Sequence, residues 1–427
     1  MAPLSPQFYI VLVLLNALLQ LSNAQLTGTL RHSSNDPEIL TVSIVNSGNT
    51  DLSVSNRNNV FDTRGLAKAF SITDESGKDI PIAYTQSLYL NTGKPTLLNL
   101  PAGKEFKRQF NLTDYVDLDP EVQPYTKHII VSLASIVRGI EHSSQTARTS
   151  TTEEVGTKHA QLSDITIKSE PLKLTWTVHG QPHQSETRQF NPTRGLRMIP
   201  GKCEGPDYET MKTAMLDAGY LAGAALIAAA SFGNLAFKYF FGSDPATANK
   251  VADVFTRILQ AQSGNLDLIG TTCEDVYNNC GDAHPDPNNV VPAYTAQLKG
   301  SGRAPIIVFC RVGLALKRNP VPCTANPGTI SLGWLMVHSM TNIYHIQGPG
   351  LDIQDKGGDT ARQIGNEVQQ GVDTTINAKP YAYLGSWAWD MGLGGEPWNQ
   401  QKICLNNFWR GNFDTTLAPL VWHDVVG

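Results

Sequence analysis

Six cysteines fall at positions 203, 273, 280, 310, 323 and 404, and nothing before Cys203 is a cysteine. An even number in an exported chain implies disulfide bonds, and six thiols allow 15 connectivities. The second half of the chain is therefore the cross-linked half. The first half must hold its fold without such bonds. The chain has 427 residues, enough for two domains that each bury a core.

Export itself is read from the start of the chain. Phe8 to Leu21 is a short apolar run, followed by the small-x-small pattern Ser22-Asn23-Ala24. This is the form of a secretory signal peptide, residues 1–24, cleaved after Ala24. The run is short for a membrane span of about 20 residues. The expected location is secreted and extracellular, with no membrane attachment after cleavage. A second apolar stretch, Ala218 to Ala230, is Ala-rich and reads as a buried helix. The formal charge is −5 and no Lys/Arg block occurs, so no nucleic-acid partner is expected.

Residues 25–198 read as β-rich. Thr41 to Val45 alternates and meets the turn signal Asn46-Ser47-Gly48-Asn49. His128 to Leu133 and Leu172 to Val178 alternate too, and Leu98 to Gly103 is a strand entering a turn. Such strands predict a small sandwich or barrel. Ser143 to Thr157 is polar and reads as a loop. Asn111-Leu112-Thr113 is the one N-glycosylation acceptor. His32, His128, His142 and His159 are scattered and form no catalytic group.

Residues 199–404 read as mostly helical. Tyr208 to Phe241 contains Gly219, Gly223 and Gly233, which predicts two helices or one irregular one. Asp244-Pro245 is a cap with proline at the first helical position. Val251, Val254, Phe255, Ile258 and Leu259 then mark an amphipathic helix. Ala304 to Cys310 reads as a short buried strand, and Leu332 to Tyr344 as a helix ended by Pro349-Gly350. That helix carries His338-Ser339-Met340-Thr341-Asn342, an H-E-x-x-H motif with two working letters changed. In the intact motif two histidines one turn apart bind zinc, and the glutamate takes a proton from the zinc-bound water.

Several stretches together resemble the deuterolysins, fungal secreted zinc endopeptidases also called aspzincins or neutral protease 2. V-S-I-V-N-S-G-N-T-D-L, N-N-V-F-D and L-N-L-P-A-G-K-E-F-K-R-Q-F-N-L-T-D-Y-V-D-L are similar to that family's pro-region. F-K-Y-F-F-G, I-I-V-F-C, H-S-M-T-N, G-P-G-L-D-I-Q-D-K-G and I-N-A-K-P-Y-A-Y-L follow in the family's order. The resemblance implies an α+β protein: a β-rich pro-region-like domain, then a mostly α-helical zincin-like domain with three disulfides. It implies the pairs Cys203–Cys273, Cys280–Cys310 and Cys323–Cys404, and a cleft strand at Ile306 to Cys310. Residues 405–427 extend beyond the family's end. No dibasic pair stands at the junction, where Arg194 and Arg197 are single.

Carried onto this chain, the family's site is dismantled. His338 keeps one metal-ligand position, Asn342 stands at the second and Ile353 at the third. Ser339 stands at the base and Lys356 at the motif's tyrosine, while Cys310 is followed by Arg311-Val312-Gly313 rather than by the family's oxyanion tyrosine. An amide oxygen is a poor zinc ligand. A serine hydroxyl is no base at neutral pH, and loss of a general base costs about 10²–10⁴ in rate. No catalytic residue is assigned and no cofactor is expected; zinc enters only if the site is rebuilt. A rebuilt set would use His338 and His345, which with Asn342 lie at i, i+4 and i+7, together with Asp352 or Asp355. No G-x-S-x-G elbow makes Ser339 a nucleophile.

Three functional readings follow. The first is a non-catalytic deuterolysin homologue that binds a peptide or protein in the remnant cleft. The second is an active zinc endopeptidase with a rearranged site. The third is a structural or surface-interaction protein using the Trp-rich end, Trp387, Trp389 and Trp398 in Ser386 to Gln401, then Trp409 and Trp422. The first two separate on metal. The first and third separate on whether an extended peptide adds to a strand edge.

Overall fold

A computed structural model describes residues 26–32, 38–63, 66–80, 82–88, 97–116, 126–142, 163–177, 194–199, 202–231, 234–280, 290–298, 304–319, 330–348, 351–355, 360–391 and 393. Residues 1–24, which the sequence suggests are a signal peptide, the Ser143 to Thr157 stretch, Lys356, Cys323, Cys404, Trp398, Trp409 and Trp422 lie outside them. The fold is mixed α+β. The sequence suggests one cut, between residues 198 and 199. The chain instead divides into unit 1, Met1–Thr85, Gly93–Thr187 and Leu298–Gly302, and unit 2, Gln86–Thr92, Arg188–Gln297 and Arg303–Gly427. Short crossings of the chain, invisible to composition, account for the difference.

In unit 1 the strands are β1 (Leu26–His32), β2 (Ile39–Asn46), β3 (Asp51–Ser55), β4 (Phe70–Asp74) and β5 (Asp79–Ile80). β6 (Ala83–Ser87) begins here. β7 (Leu97–Leu100), β8 (Glu105–Asn111), the short helix α1 (Leu112–Tyr115), β9 (Thr126–Leu133), β10 (Ile136–His142), β11 (Ser163–Ser169) and β12 (Leu172–Thr177) follow. Seven strands form one sheet in the order β7-β3-β10-β11-β1-β2-β8, and four form another, β12-β9-β4-β5. Alternation decides which side chains turn inward, because successive residues of a strand face opposite sides. Leu40, Val42 and Ile44 of β2 are buried, with partly exposed residues between them. They join Leu26, Leu52, Val54, Phe70, Ile72, Ile129, Val131 and Leu174 in one core drawn from both sheets. The register sets Gly28 opposite Ile44 and Leu30 opposite Val42. Phe70, Phe110 and Tyr115 pack ring against ring at 4.7–5.9 Å. Asn111 caps α1, its side-chain oxygen accepting from the Thr113 amide at 3.1 Å and the Thr113 hydroxyl at 2.8 Å.

Unit 2 contains β13 (Leu196–Met198), α2 (Gly205–Ala230), α3 (Leu235–Phe241), α4 (Pro245–Ser263), β14 (Ile269–Thr272), β15 (Ala293–Leu298, through Gln297) and β16 (Ile306–Phe309). It continues with α5 (Arg311–Leu314), α6 (Leu332–Thr341), α7 (Tyr344–Gln347), α8 (Ala361–Gln369) and α9 (Ala378–Asp390). The glycine-bearing stretch thus forms two helices, parted at Ser231–Asn234, where the Asn234 side chain caps α3. Asp244 caps α4 with both carboxylate oxygens, and Gly264 ends it in the left-handed conformation that glycine accepts without strain. Val251, Val254, Phe255 and Ile258 of α4 are fully buried. α2 is long and apolar enough to suit a membrane by composition, yet its Ala214, Ala218, Leu221, Ala222, Ala225 and Ala228 are buried in this unit's core. Small residues let neighbours come close. A Cβ on Gly333 of α6 would stand 2.9 Å from the Asp217 Cβ of α2, and one on Gly385 of α9 would stand 3.1 Å from the Leu221 Cβ.

The expected helix from Leu332 to Tyr344 is shorter. α6 stops at Thr341, Asn342 is its C-cap, and Ile343 is extended before α7 starts. Ser386 to Asp390 belong to α9, so Trp387 and Trp389 of the Trp-rich end are helical. Trp387 is buried against Tyr239 and Phe240. It is core, which removes it from the surface reading. Two disulfides are formed, Cys203–Cys273 and Cys280–Cys310; the third implied pair lies outside the described residues.

Candidate functional site

The altered motif lies on α6, where all ten residues from Leu332 to Thr341 are buried. Ser331 caps the helix, its hydroxyl accepting from the Trp334 amide at 3.1 Å. One turn later Trp334 stacks on His338, with ring centroids 5.3 Å apart and planes 9° from parallel. Tyr383 of α9 meets Trp334 edge-on at 5.2 Å. These contacts fix the imidazole plane.

His338 Nε2 lies 2.7 Å from Asp355 Oδ1, and the two side chains are 0% and 6% exposed. Facing a carboxylate, Nε2 is the nitrogen that carries a hydrogen and donates it. Nδ1 is buried and meets no partner among the described residues. Of the acidic candidates, only Asp355 reaches His338. Asp352 is exposed and accepts from the Gln354 side chain at 2.5 Å. Ile353 is buried, with its carbonyl taking a bond from Gln347 Nε2 at 2.8 Å.

The break after Thr341 separates residues that an unbroken helix would align. His345 sits on α7 and faces Asp267 at 3.8 Å. Burial lowers its pKa, while Asp267 acts to raise it. The set His338, Asn342 and His345 on one face is therefore not realised. The break is stabilised by Gln297, which sequence reasoning missed. Its Nε2 donates to the Asn342 carbonyl at 2.9 Å, and its Oε1 accepts from the Tyr344 amide at 3.1 Å. One side-chain amide thus satisfies backbone groups on both sides of the break. Gln347 Nε2 also donates to the Thr341 carbonyl at 3.1 Å. These bonds cross 45 and 47 residues of chain in the case of Gln297, so no local signal reveals them.

Asn342 is 1% exposed. Its Oδ1 accepts from Gln86 Nε2 at 3.1 Å, within unit 2. Ser87 accepts from Asn279 Nδ2 at 2.6 Å, and the Leu88 amide donates to the Ala293 carbonyl at 3.0 Å. Gln86, Ser87, Asn279, Thr295, Gln297 and Asn342 are all buried. Burying so many polar groups is costly unless they bond one another. β16, the implied cleft strand, is internal: it lies between β14 and β15 in the order β13-β14-β16-β15-β6.

As placed, His338 Nε2 and Asp355 Oδ1 are too close to be ligands of one zinc. Ligand atoms on one tetrahedral zinc lie roughly 3.3 Å apart, given bonds of about 2.0–2.1 Å, whereas His338 Nε2 and Asp355 Oδ1 are in direct hydrogen-bond contact. No group of three His, Cys, Asp or Glu side chains that suits a metal occurs among the described residues. Asn342 Oδ1 is already bonded to Gln86. Ser339 is 2% exposed and supplies no base at neutral pH.

One further titratable group stands apart. Asp390, at the end of α9, is buried, and its Oδ1 has no partner among the described residues. Burial pushes its carboxyl up to about 7. No protein-family model matches the chain, and no curated protein matches it.

Proposed function

We propose that this is a secreted, non-catalytic relative of the deuterolysin-type zinc endopeptidases, with a binding role in place of proteolysis. The observation that carries the reading is the fate of the motif's metal ligands. His338 is bonded to Asp355 in a buried pair, and Asn342 is bonded to Gln86. Both ligand positions are thus already engaged by protein partners, and Ser339 replaces the base. The apolar leader and the two disulfides support export, since such bonds persist in oxidising compartments. The pro-region-like character of the β-rich half and the zincin-like character of the helical half belong to this same reading. The ligand would be an extended peptide or a protein segment.

The test is zinc content of the purified secreted protein, measured with proteolysis of a basic protein substrate. The expected result is neither zinc nor cleavage. The Ser339→Glu/Asn342→His variant is expected to gain zinc, because it restores a second imidazole and a base. Stoichiometric zinc with chelator-sensitive cleavage in the unaltered protein would overturn the proposal in favour of a rearranged active site.

A further inference from the structure

Gln86, Ser87 and Leu88 come from the β-rich half of the sequence but belong to unit 2. β6, which ends in Gln86 and Ser87, is the outermost strand beside β15. Its burial does not alternate: Tyr84, Thr85, Gln86 and Ser87 are all buried. Such a pattern marks a strand covered on both faces. Three of these four residues are polar, so apolar burial does not explain their place.

Two kinds of contact hold the segment. Along the backbone, the Leu88 amide donates to Ala293, the first residue of β15. Through side chains, Gln86 meets Asn342 and Ser87 meets Asn279. This is the bonding by which an extended peptide adds to a sheet, with main-chain bonds along an edge and selected side chains in pockets. The match is incomplete. Asn279 Oδ1 and Thr295 Oγ1 are buried without a partner among the described residues. Thr295 lies two residues from Gln297 on β15, hence on the same strand face. An occupant that meets both atoms would fit better than the present one.

We propose that residues 86–88 are the resident occupant of an extended-peptide site in unit 2, which recognises a strand through a side-chain amide at Asn342 and backbone bonding along β15. The proposal rests on the binding role inferred above. The partner it fits is an extended segment with glutamine opposite Asn342 and a hydroxyl residue next in sequence. The resident lowers the apparent affinity for such a segment by the fraction of time it holds the site.

The test uses full-length protein and a fluorescent peptide of sequence Y-T-Q-S-L, titrated by anisotropy. The Gln86→Ala/Leu88→Pro variant loses the side-chain amide and the backbone N–H of the resident. It is expected to bind the peptide at least about tenfold more tightly than the unaltered protein. Adding Asn342→Ala, or replacing the peptide's glutamine by leucine, is expected to remove the gain. No gain in a variant whose β16 amides stay protected from hydrogen exchange overturns the proposal, as does a gain that survives Asn342→Ala. Should the variant not fold, exchange in the unaltered protein decides. A Leu88 amide exchanging about tenfold faster than those of Ile307 and Val308 supports a resident that opens by itself, and equal rates overturn it. Either failure leaves the zinc and cleavage measurements standing, so the two readings fall separately.

Discussion

Unit 1 and unit 2 each bury an asparagine, Asn46 and Asn342, and use it differently. Asn46 of unit 1 ends β2 and ties its own turn to a strand 54 residues away. Its Nδ2 donates to the Thr50 carbonyl at 2.8 Å and the Leu100 carbonyl at 2.9 Å, while its Oδ1 accepts from Gly48 at 3.2 Å. Asn342 of unit 2 ends α6 and serves distant chain. Its side chain meets Gln86, 256 residues away in sequence, and its carbonyl meets Gln297, 45 residues away. Asn46 is a turn signal readable in N-S-G-N. Asn342 stands in the sequence where an H-E-x-x-H pattern has its second histidine, and its bonds show it as the centre of a polar cluster. A buried amide needs partners in either case; Asn46 joins two partners in its own turn, Thr50 and Gly48, to one 54 residues away, whereas Gln86 and Gln297 are both far from Asn342 in sequence.

The sharpest separation of the two units is expected at the buried pair. Asp355→Ala leaves the His338 ring in the core without its partner, and stranding a buried hydrogen-bonding group costs about 1–3 kcal/mol, more where a charge is involved. Loss of hydrogen-exchange protection in α6 and α9, with β1 and β2 of unit 1 unaffected, would support that placement. Equal loss in both units would break the comparison.

Disulfide removal comes next. Cys203 and Cys273 close a loop spanning 70 residues of unit 2. The Cys203→Ala/Cys273→Ala variant is expected to lose about 4 kcal/mol by the chain-entropy account. Urea unfolding followed by a helix-sensitive signal measures this.

Asp390 sharpens the contrast through pH. Its folded carboxyl titrates near 7 because burial disfavours the charged form, above an ordinary value of about 3.9. The folded state therefore holds a proton that the unfolded state releases. Stability falls as pH rises from about 4 to 7, by roughly 2–4 kcal/mol in all. Asp390→Asn is expected to flatten that slope and to stabilise the protein at pH 8. Parallel pH profiles for both proteins would remove Asp390 as the cause.

The smallest effects concern Asn46 and the helix cap. Asn46→Ala strands two carbonyls and is expected to cost about 1–3 kcal/mol, seen as faster exchange at Gly103, whose amide bonds the Asn46 carbonyl. Asp244→Ala removes the bonds to the Ala246 and Thr247 amides. Its expected cost is about 1 kcal/mol, confined to the first turn of α4. Effects in the reverse order would show that local bonds outweigh distant ones here.

Much of the fold was legible because its causes are short-range. Alternation in Thr41 to Val45, His128 to Leu133 and Leu172 to Thr177 marked β2, β9 and β12, since a strand exposes and buries on a two-residue period. The spacing of Val251, Val254, Phe255 and Ile258 marked α4, and Asp244-Pro245 marked its start. The altered motif was visible at His338 to Asn342. The end of α6 was not, because Gln297 stabilises the break from another strand.

By itself, the sequence determined the cross-linked second half, the strand and helix periods, the caps and the absence of a carboxylate beside His338 in the chain. These depend on residues within a few positions of one another, or on the chemistry of one side chain. The tertiary structure alone decided that Asp355 rather than Asp352 faces His338, that His345 leaves the group, and that Gln86 meets Asn342. Those pairings need backbone segments brought together over long stretches of chain. A buried polar side chain bonds whichever partner the packing sets within about 3 Å of it, and no local pattern encodes that distance.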